Sequence, residues 1–157
     1  MNVRGPLVGL LVILLSACGN AGSTSSGSAP TSDAETVATP EGLEIQAISV
    51  RVDELQSIES GGDGCPRDPQ AVAWNSSGTL PGEPGLAVMI GSGQGVFRDL
   101  GNLGPDDLVV VNRSDRTQAT FRKSDPAKAP AGARTARLEL TACGGQTPVK
   151  VYAELVP

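Results

Sequence analysis

From Leu43 onward, short apolar runs are cut at close intervals by clusters of Gly, Pro and Asp, and no stretch sustains a long helical period. This punctuation constrains the fold more than any other feature of the chain. The runs that read as strands are Leu43 to Val52, Leu86 to Ile90, Asp107 to Asn112, Thr117 to Phe121, Arg137 to Cys143 and Val149 to Val156. Turn clusters such as Gly61-Gly62-Asp63-Gly64, Pro81-Gly82-Glu83-Pro84-Gly85 and Gly101 to Pro105 separate them. Val96 to Leu103 has room for one short helical turn. The spacing predicts an all-β domain, a compact barrel or sandwich of about six to eight short strands.

Side chains alternate faces along a strand, so two of these runs can be assigned faces directly. In Arg137 to Cys143, Leu138, Leu140 and Ala142 share one face, and Arg137, Glu139, Thr141 and Cys143 share the other. In the last run Val149, Val151, Ala153 and Leu155 are expected inward, with Lys150, Tyr152 and Glu154 outward. Cys143 therefore falls at the polar end of its strand, ahead of Gly144-Gly145, where a backbone can come close to a ligand. A half-buried thiol at a strand end is the plainer reading of the same position.

The N-terminus has a different composition. Arg4 precedes an apolar stretch, Leu7 to Leu15, broken only by Gly9 and followed by small Ser16 and Ala17, which is the plan of a secretory signal. The stretch falls well short of the roughly twenty residues that span a bilayer. Leu15-Ser16-Ala17-Cys18 resembles the lipobox of bacterial lipoproteins. That resemblance implies a signal peptide over 1–17, lipid on Cys18, an extracytoplasmic location, and attachment to the membrane through that lipid. The alternative is a plain signal peptide with an incidental cysteine. Residues 18–42 are rich in Ser, Thr, Gly, Ala and Pro, too poor in bulky apolar groups to offset the entropy of ordering. They are expected to form a flexible tether spanning roughly 25 to 30 Å, ahead of a single domain over 43–157.

Charge and composition then exclude whole classes of function. The net charge is −5 and the Lys and Arg residues are scattered, whereas nucleic-acid binding needs a basic face. The chain has no histidine, which removes Ser-His-Asp and Cys-His catalysis in their usual forms and the common imidazole zinc sites. Of the three cysteines, Cys18 is assigned to lipid, so a four-thiolate metal site is excluded. No metal and no cofactor is expected. Gly91-Ser92-Gly93-Gln94-Gly95 has the glycines of a phosphate loop but neither the following helix nor the dinucleotide spacing, and reads as a flexible loop.

Several segments together carry a family resemblance. Leu138-Glu139-Leu140-Thr141-Ala142-Cys143-Gly144-Gly145 resembles the nucleophile strand of sortases, the cysteine transpeptidases of Gram-positive cell surfaces, whose usual form is Leu-x-Leu-Ile-Thr-Cys-Gly-Gly. Leu43 to Val50 is similar to the opening strand of the actinobacterial class F-like group. Val72-Ala73-Trp74 with Pro81-Gly82-Glu83-Pro84-Gly85, then Val96-Phe97 through Asp106-Asp107, then Val151 to Leu155, resemble further segments in the family's order. The resemblance implies a closed sortase-like β-barrel over nearly all of Leu43 to Val156.

The family's three catalytic residues carry over unevenly. Cys143 takes the nucleophile position. The family's histidine follows glycine, and Gly91-Ser92 puts Ser92 there. A serine hydroxyl does not titrate near neutral pH and cannot replace an imidazole as acid and base. No arginine occupies the loop before the last strand. Lys150 has the right outward parity, but it lacks the planar fork of arginine, so it reads either as a weak stand-in or as a solvated strand lysine. Losing the general acid or base costs about 10² to 10⁴ in rate, and an oxyanion donor roughly 10² to 10³.

The resemblance therefore implies a catalytically degenerate domain that binds an extended peptide or envelope component. The rival reading is an active transpeptidase or hydrolase acting on Leu-Pro-x-Thr-Gly-like sorting signals through Cys143. With Cys18 set aside, Cys65 and Cys143 are left either as a disulfide, masking the nucleophile position, or as two separate thiols.

Overall fold

The computed structural model describes residues 37–59, 64–125 and 135–157. The expected signal peptide, Cys18 and the tether up to residue 36 lie outside the described residues. Among the described residues nine strands follow one another: β1 (Pro40–Ile45), β2 (Val50–Val52), β3 (Gln56–Ile58), β4 (Val72–Asn75), β5 (Gly85–Ser92), β6 (Leu108–Arg113), β7 (Gln118–Ser124), β8 (Ala136–Cys143) and β9 (Val149–Leu155). Two single 3₁₀ turns, Gln46–Ile48 and Leu100–Asn102, are the helical elements among the described residues.

The strands form one sheet in the order β2-β1-β6-β7-β9-β8-β5-β4-β3. Pairing is antiparallel except for β3 with β4 and β5 with β8. The sheet curls round a core in which Leu43, Met89, Phe97, Val109, Phe121, Leu138 and Leu140 are all but fully buried. Each such side chain contributes about 1.5 to 3 kcal/mol on leaving water. The order ends at β2 and β3, and no ladder joins these two among the described residues. Just past β2, the Leu55 N–H donates to the Glu41 carbonyl of β1 at 2.9 Å and extends the β1–β2 hairpin.

The all-β architecture matches the expectation, with four differences in detail. The run Leu43 to Val52 is not one strand but two. Ser49 adopts a left-handed conformation (φ 55°) and folds the chain back so that Leu43 pairs with Val52; no glycine or proline marks that turn. β1 begins at Pro40, inside the stretch assigned to the tether, because Ala38 and Leu43 bury and the strand pairs with β6 from Arg113 onward. β3 and β4 were not among the expected strands, since Gln56-Ser57-Ile58 carries one apolar residue and Val72-Ala73-Trp74 has no alternation. Val149, expected inward, is 44% exposed because it sits at the outermost pair of β9, opposite Ala142.

Candidate functional site

The site residues gather where β5 and β8 end side by side. The parallel ladder runs through eight pairs, from Gly85 with Ala136 to Ser92 with Cys143. On the other flank of β8, Thr141 pairs with Lys150 and Ala142 with Val149 of β9. The face assignment made from alternation holds on β8: Leu138, Leu140 and Ala142 are buried in the core, and Thr141 and Cys143 are partly exposed on the opposite face. Glu139 belongs to that outer face yet is only 8% exposed.

Cys143 is bonded to Cys65. The sulfurs are 1.99 Å apart and the Cα atoms 5.7 Å, a separation disulfides commonly span. Of the two readings left open for these cysteines, the structure contains the disulfide and not two separate thiols. Cys143 Sγ also lies 3.2 Å from the Gly91 carbonyl oxygen. In the disulfide this sulfur carries no hydrogen, so the approach is a contact and not a hydrogen bond.

Ser92 is committed to the turn that follows it. Its Oγ accepts the Gln94 N–H at 3.2 Å, and its carbonyl accepts the N–H groups of Gly95 (3.1 Å) and Phe97 (2.9 Å). The stretch expected to be a flexible loop is thus a hydrogen-bonded turn. It is also tied to β8, since Gly93 N–H donates to the Cys143 carbonyl at 2.7 Å and Gln94 Nε2 to the Gly144 carbonyl at 3.5 Å. At Gly95 the packing allows no side chain: a Cβ there would lie 1.9 Å from the Pro69 carbonyl oxygen.

Lys150 has a partner that is not Cys143. Its Nζ donates to Glu139 Oε1 at 2.7 Å, and Thr141 Oγ1 donates to the same oxygen at 3.0 Å. Burial alone pushes the Glu139 carboxyl up, but hydrogen bonds from Lys150, Thr141 and Tyr152 outweigh it and hold the group below its ordinary range. The same hydrogen bond raises Lys150. Burial, then the bond to Glu139, raises Tyr152. The charge of Lys150 is therefore engaged within the β8–β9 face, where a free cation facing the Cys143 sulfur would be needed to stand in for arginine. Glu139 is the residue that sequence reading left unassigned. The available signal was an acid between two leucines on a core strand, with a tyrosine and a lysine at matching parity on the next.

A cleft of about 510 Å³ lies beside the turn after Ser92, lined by Ile48, Arg51, Gln70, Val96, Arg98 and Asn102 among others. Cys143, Ser92 and Lys150 do not line it. Among the described residues no group of three or more His, Cys, Asp or Glu side chains is placed to hold a metal, and no helix is long and apolar enough to cross a membrane.

No family model matches this chain, and no curated protein does. Its fold is similar to solved sortases. The SrtA sortase of Actinomyces oris superposes with a TM-score of 0.58 at 19% identity, over 75% of this chain and 79% of that one. A lid mutant of sortase A from Corynebacterium diphtheriae gives 0.57 at 12% identity, over 76% and 70%. Sortase C of Clostridium perfringens SM101 gives 0.55 at 14%, over 75% and 70%. At these identities the likeness defines the fold: the described domain is an all-β, sortase-like barrel.

Proposed function

We propose that this chain is a lipid-anchored, extracytoplasmic protein whose class F-like sortase domain has given up transpeptidation and binds an extended peptide or other component of the cell envelope. The observation that supports this most is the Cys65–Cys143 disulfide. A nucleophile must be a thiolate, and the sulfur at the nucleophile position is already bonded. Two further features point the same way. Ser92, which pairs with Cys143, cannot shuttle protons as an imidazole does, and Lys150 is held by Glu139. The lipid anchor rests on Leu15-Ser16-Ala17-Cys18 and on the length of the apolar run before it; palmitate labelling that disappears in Cys18→Ala is its direct check.

The catalytic part of the proposal is tested by incubating the purified, oxidised domain with a Leu-Pro-x-Thr-Gly peptide and measuring intact mass. No acyl adduct on Cys143 is expected, even over long incubation. An adduct that forms on the wild type and is lost in Cys143→Ala would make the protein a working cysteine transpeptidase or hydrolase. The binding part is tested by capture from envelope extracts, where return of no specific partner counts against it.

A further inference from the structure

We infer that the Cys65–Cys143 bond is a site of thiol–disulfide exchange, opened by a small or protein dithiol while the barrel stays folded. The two cysteines are held in unequal ways. Cys143 is fixed without the bond: it closes the β5–β8 ladder opposite Ser92, its neighbour Ala142 pairs with Val149, and its carbonyl accepts the Gly93 N–H at 2.7 Å. Cys65 lies outside any strand. Among the described residues, the hydrogen bonds that anchor its segment begin at Asp68, whose carbonyl accepts Ala71 N–H (3.1 Å) and whose Oδ1 accepts Gln70 N–H (2.8 Å). Pro69 then accepts Val96 N–H at 2.7 Å. Between Gly64 and Arg67 the disulfide is the link to β8 that the described residues show.

Both cysteines are partly exposed, not sealed in the core. Gly144, directly after Cys143, has φ +85°, and the nearest atom to a side chain built there would be Cys65 Sγ at 3.9 Å. The bare glycine places no side chain against that sulfur. An incoming thiolate attacks Cys65 Sγ, the S–S bond breaks, and Cys143 leaves with the electron pair and takes a proton from solvent. The second thiol of the dithiol then displaces Cys65, so the reductant ends as a disulfide and the protein gains two hydrogens. The released Cys143 thiol meets the Gly91 carbonyl oxygen, 3.2 Å from its sulfur, as a hydrogen-bond acceptor. It stays at the end of β8 while the 64–67 segment is let go. This inference does not depend on whether the domain binds a peptide.

The test uses the folded protein without denaturant. It is treated with dithiothreitol, then labelled with iodoacetamide, with amide hydrogen exchange followed in parallel. The expected result is complete reduction, both Cys65 and Cys143 labelled, and faster exchange limited to the stretch 64–67, with β5, β8 and β9 unchanged. As an independent arm, Cys65→Ser should fold and give a mixed disulfide on Cys143 with an aromatic disulfide reagent. A bond that dithiothreitol opens only after denaturant is added would overturn the inference. So would loss of protection across β5 and β8 on reduction, or a folded Cys65→Ser whose Cys143 resists the reagent.

Discussion

Ser92 and Cys143 stand opposite each other in the last pair of the parallel β5–β8 ladder. Two side chains at the same pair of a parallel ladder share a face, so the ladder itself sets what faces the Cys143 sulfur. At that place the chain offers a hydroxyl that already accepts Gln94 N–H.

Placing an imidazole there is expected to restore part of the missing proton transfer, provided the thiol is free. In a Cys65→Ser background, Ser92→His should raise the rate of peptide adduct formation on Cys143 by about 10²-fold or more over Cys65→Ser alone. In the oxidised wild-type background the same change should do nothing. Adduct mass followed over time measures both.

The disulfide closes a loop with a sequence separation of 78 residues. Constraining the unfolded chain over that length is worth roughly 4 to 5 kcal/mol. Reduced protein and Cys65→Ser should therefore be less stable than the oxidised form by a free energy of that order, with lower denaturant midpoints, while their native spectra match it. Urea titrations with and without reductant give the difference.

The Lys150–Glu139 pair should show an asymmetry. The Glu139 side chain is 10% exposed and that of Lys150 48%. Lys150→Met leaves a buried carboxylate without its cation and should cost about 1 to 2 kcal/mol, between the values for surface and buried pairs. Glu139→Gln leaves a half-exposed lysine that water can solvate, and should cost less, about 0.5 to 1 kcal/mol.

The pH dependence follows from the same pair. Glu139 is held below its ordinary value of 4.5, so its contribution is complete above that value and is lost as pH falls through the lower folded one. Lys150 is raised above 10.5, so the pair's contribution is present below that value and is lost as pH rises through the higher folded one. The two shifts describe one interaction and are counted once. Glu139→Gln should flatten the acid limb of a plot of stability against pH, and Lys150→Met should move that limb to higher pH because the hydrogen bond and charge of Lys150 no longer lower the carboxyl.

Gly95→Ala tests the turn after Ser92. Its Cβ would collide with the Pro69 carbonyl oxygen, a backbone atom pinned by its bond to Val96 N–H. A loss of about 2 to 4 kcal/mol is expected. At Gly101 the nearest atom to a new Cβ is 3.8 Å away, so Gly101→Ala should change stability by no more than about 0.5 kcal/mol. Thermal melts of the two variants make the comparison.

Much of the barrel was legible because its central strands obey alternation: on β8 the inward set Leu138, Leu140 and Ala142 is also the buried set. Failures fell where alternation is broken or brief. The β1–β2 reversal depends on a left-handed Ser49 that no residue type announces. β3 is an edge strand held through β4, with little apolar surface to reveal it. At the site, the resemblance of Leu138 to Gly145 and of Gly91-Ser92 to the family's motifs picked out Cys143 and Ser92, which the β5–β8 ladder sets side by side. The bond to Cys65 could only be left open, because it joins residues 78 apart whose approach depends on the whole curl of the sheet. The engagement of Lys150 was missed for a related reason: its partner Glu139 sits on the neighbouring strand.

Non-reducing tryptic mapping reads the state of Cys143 directly. Cleavage at Arg51, Arg67, Arg137 and Lys150 isolates Cys65 in peptide 52–67 and Cys143 in peptide 138–150. Protein alkylated before digestion should yield these two peptides as one disulfide-linked species, separated by reductant. Recovery of both peptides already alkylated, with no linked species, would contradict the disulfide.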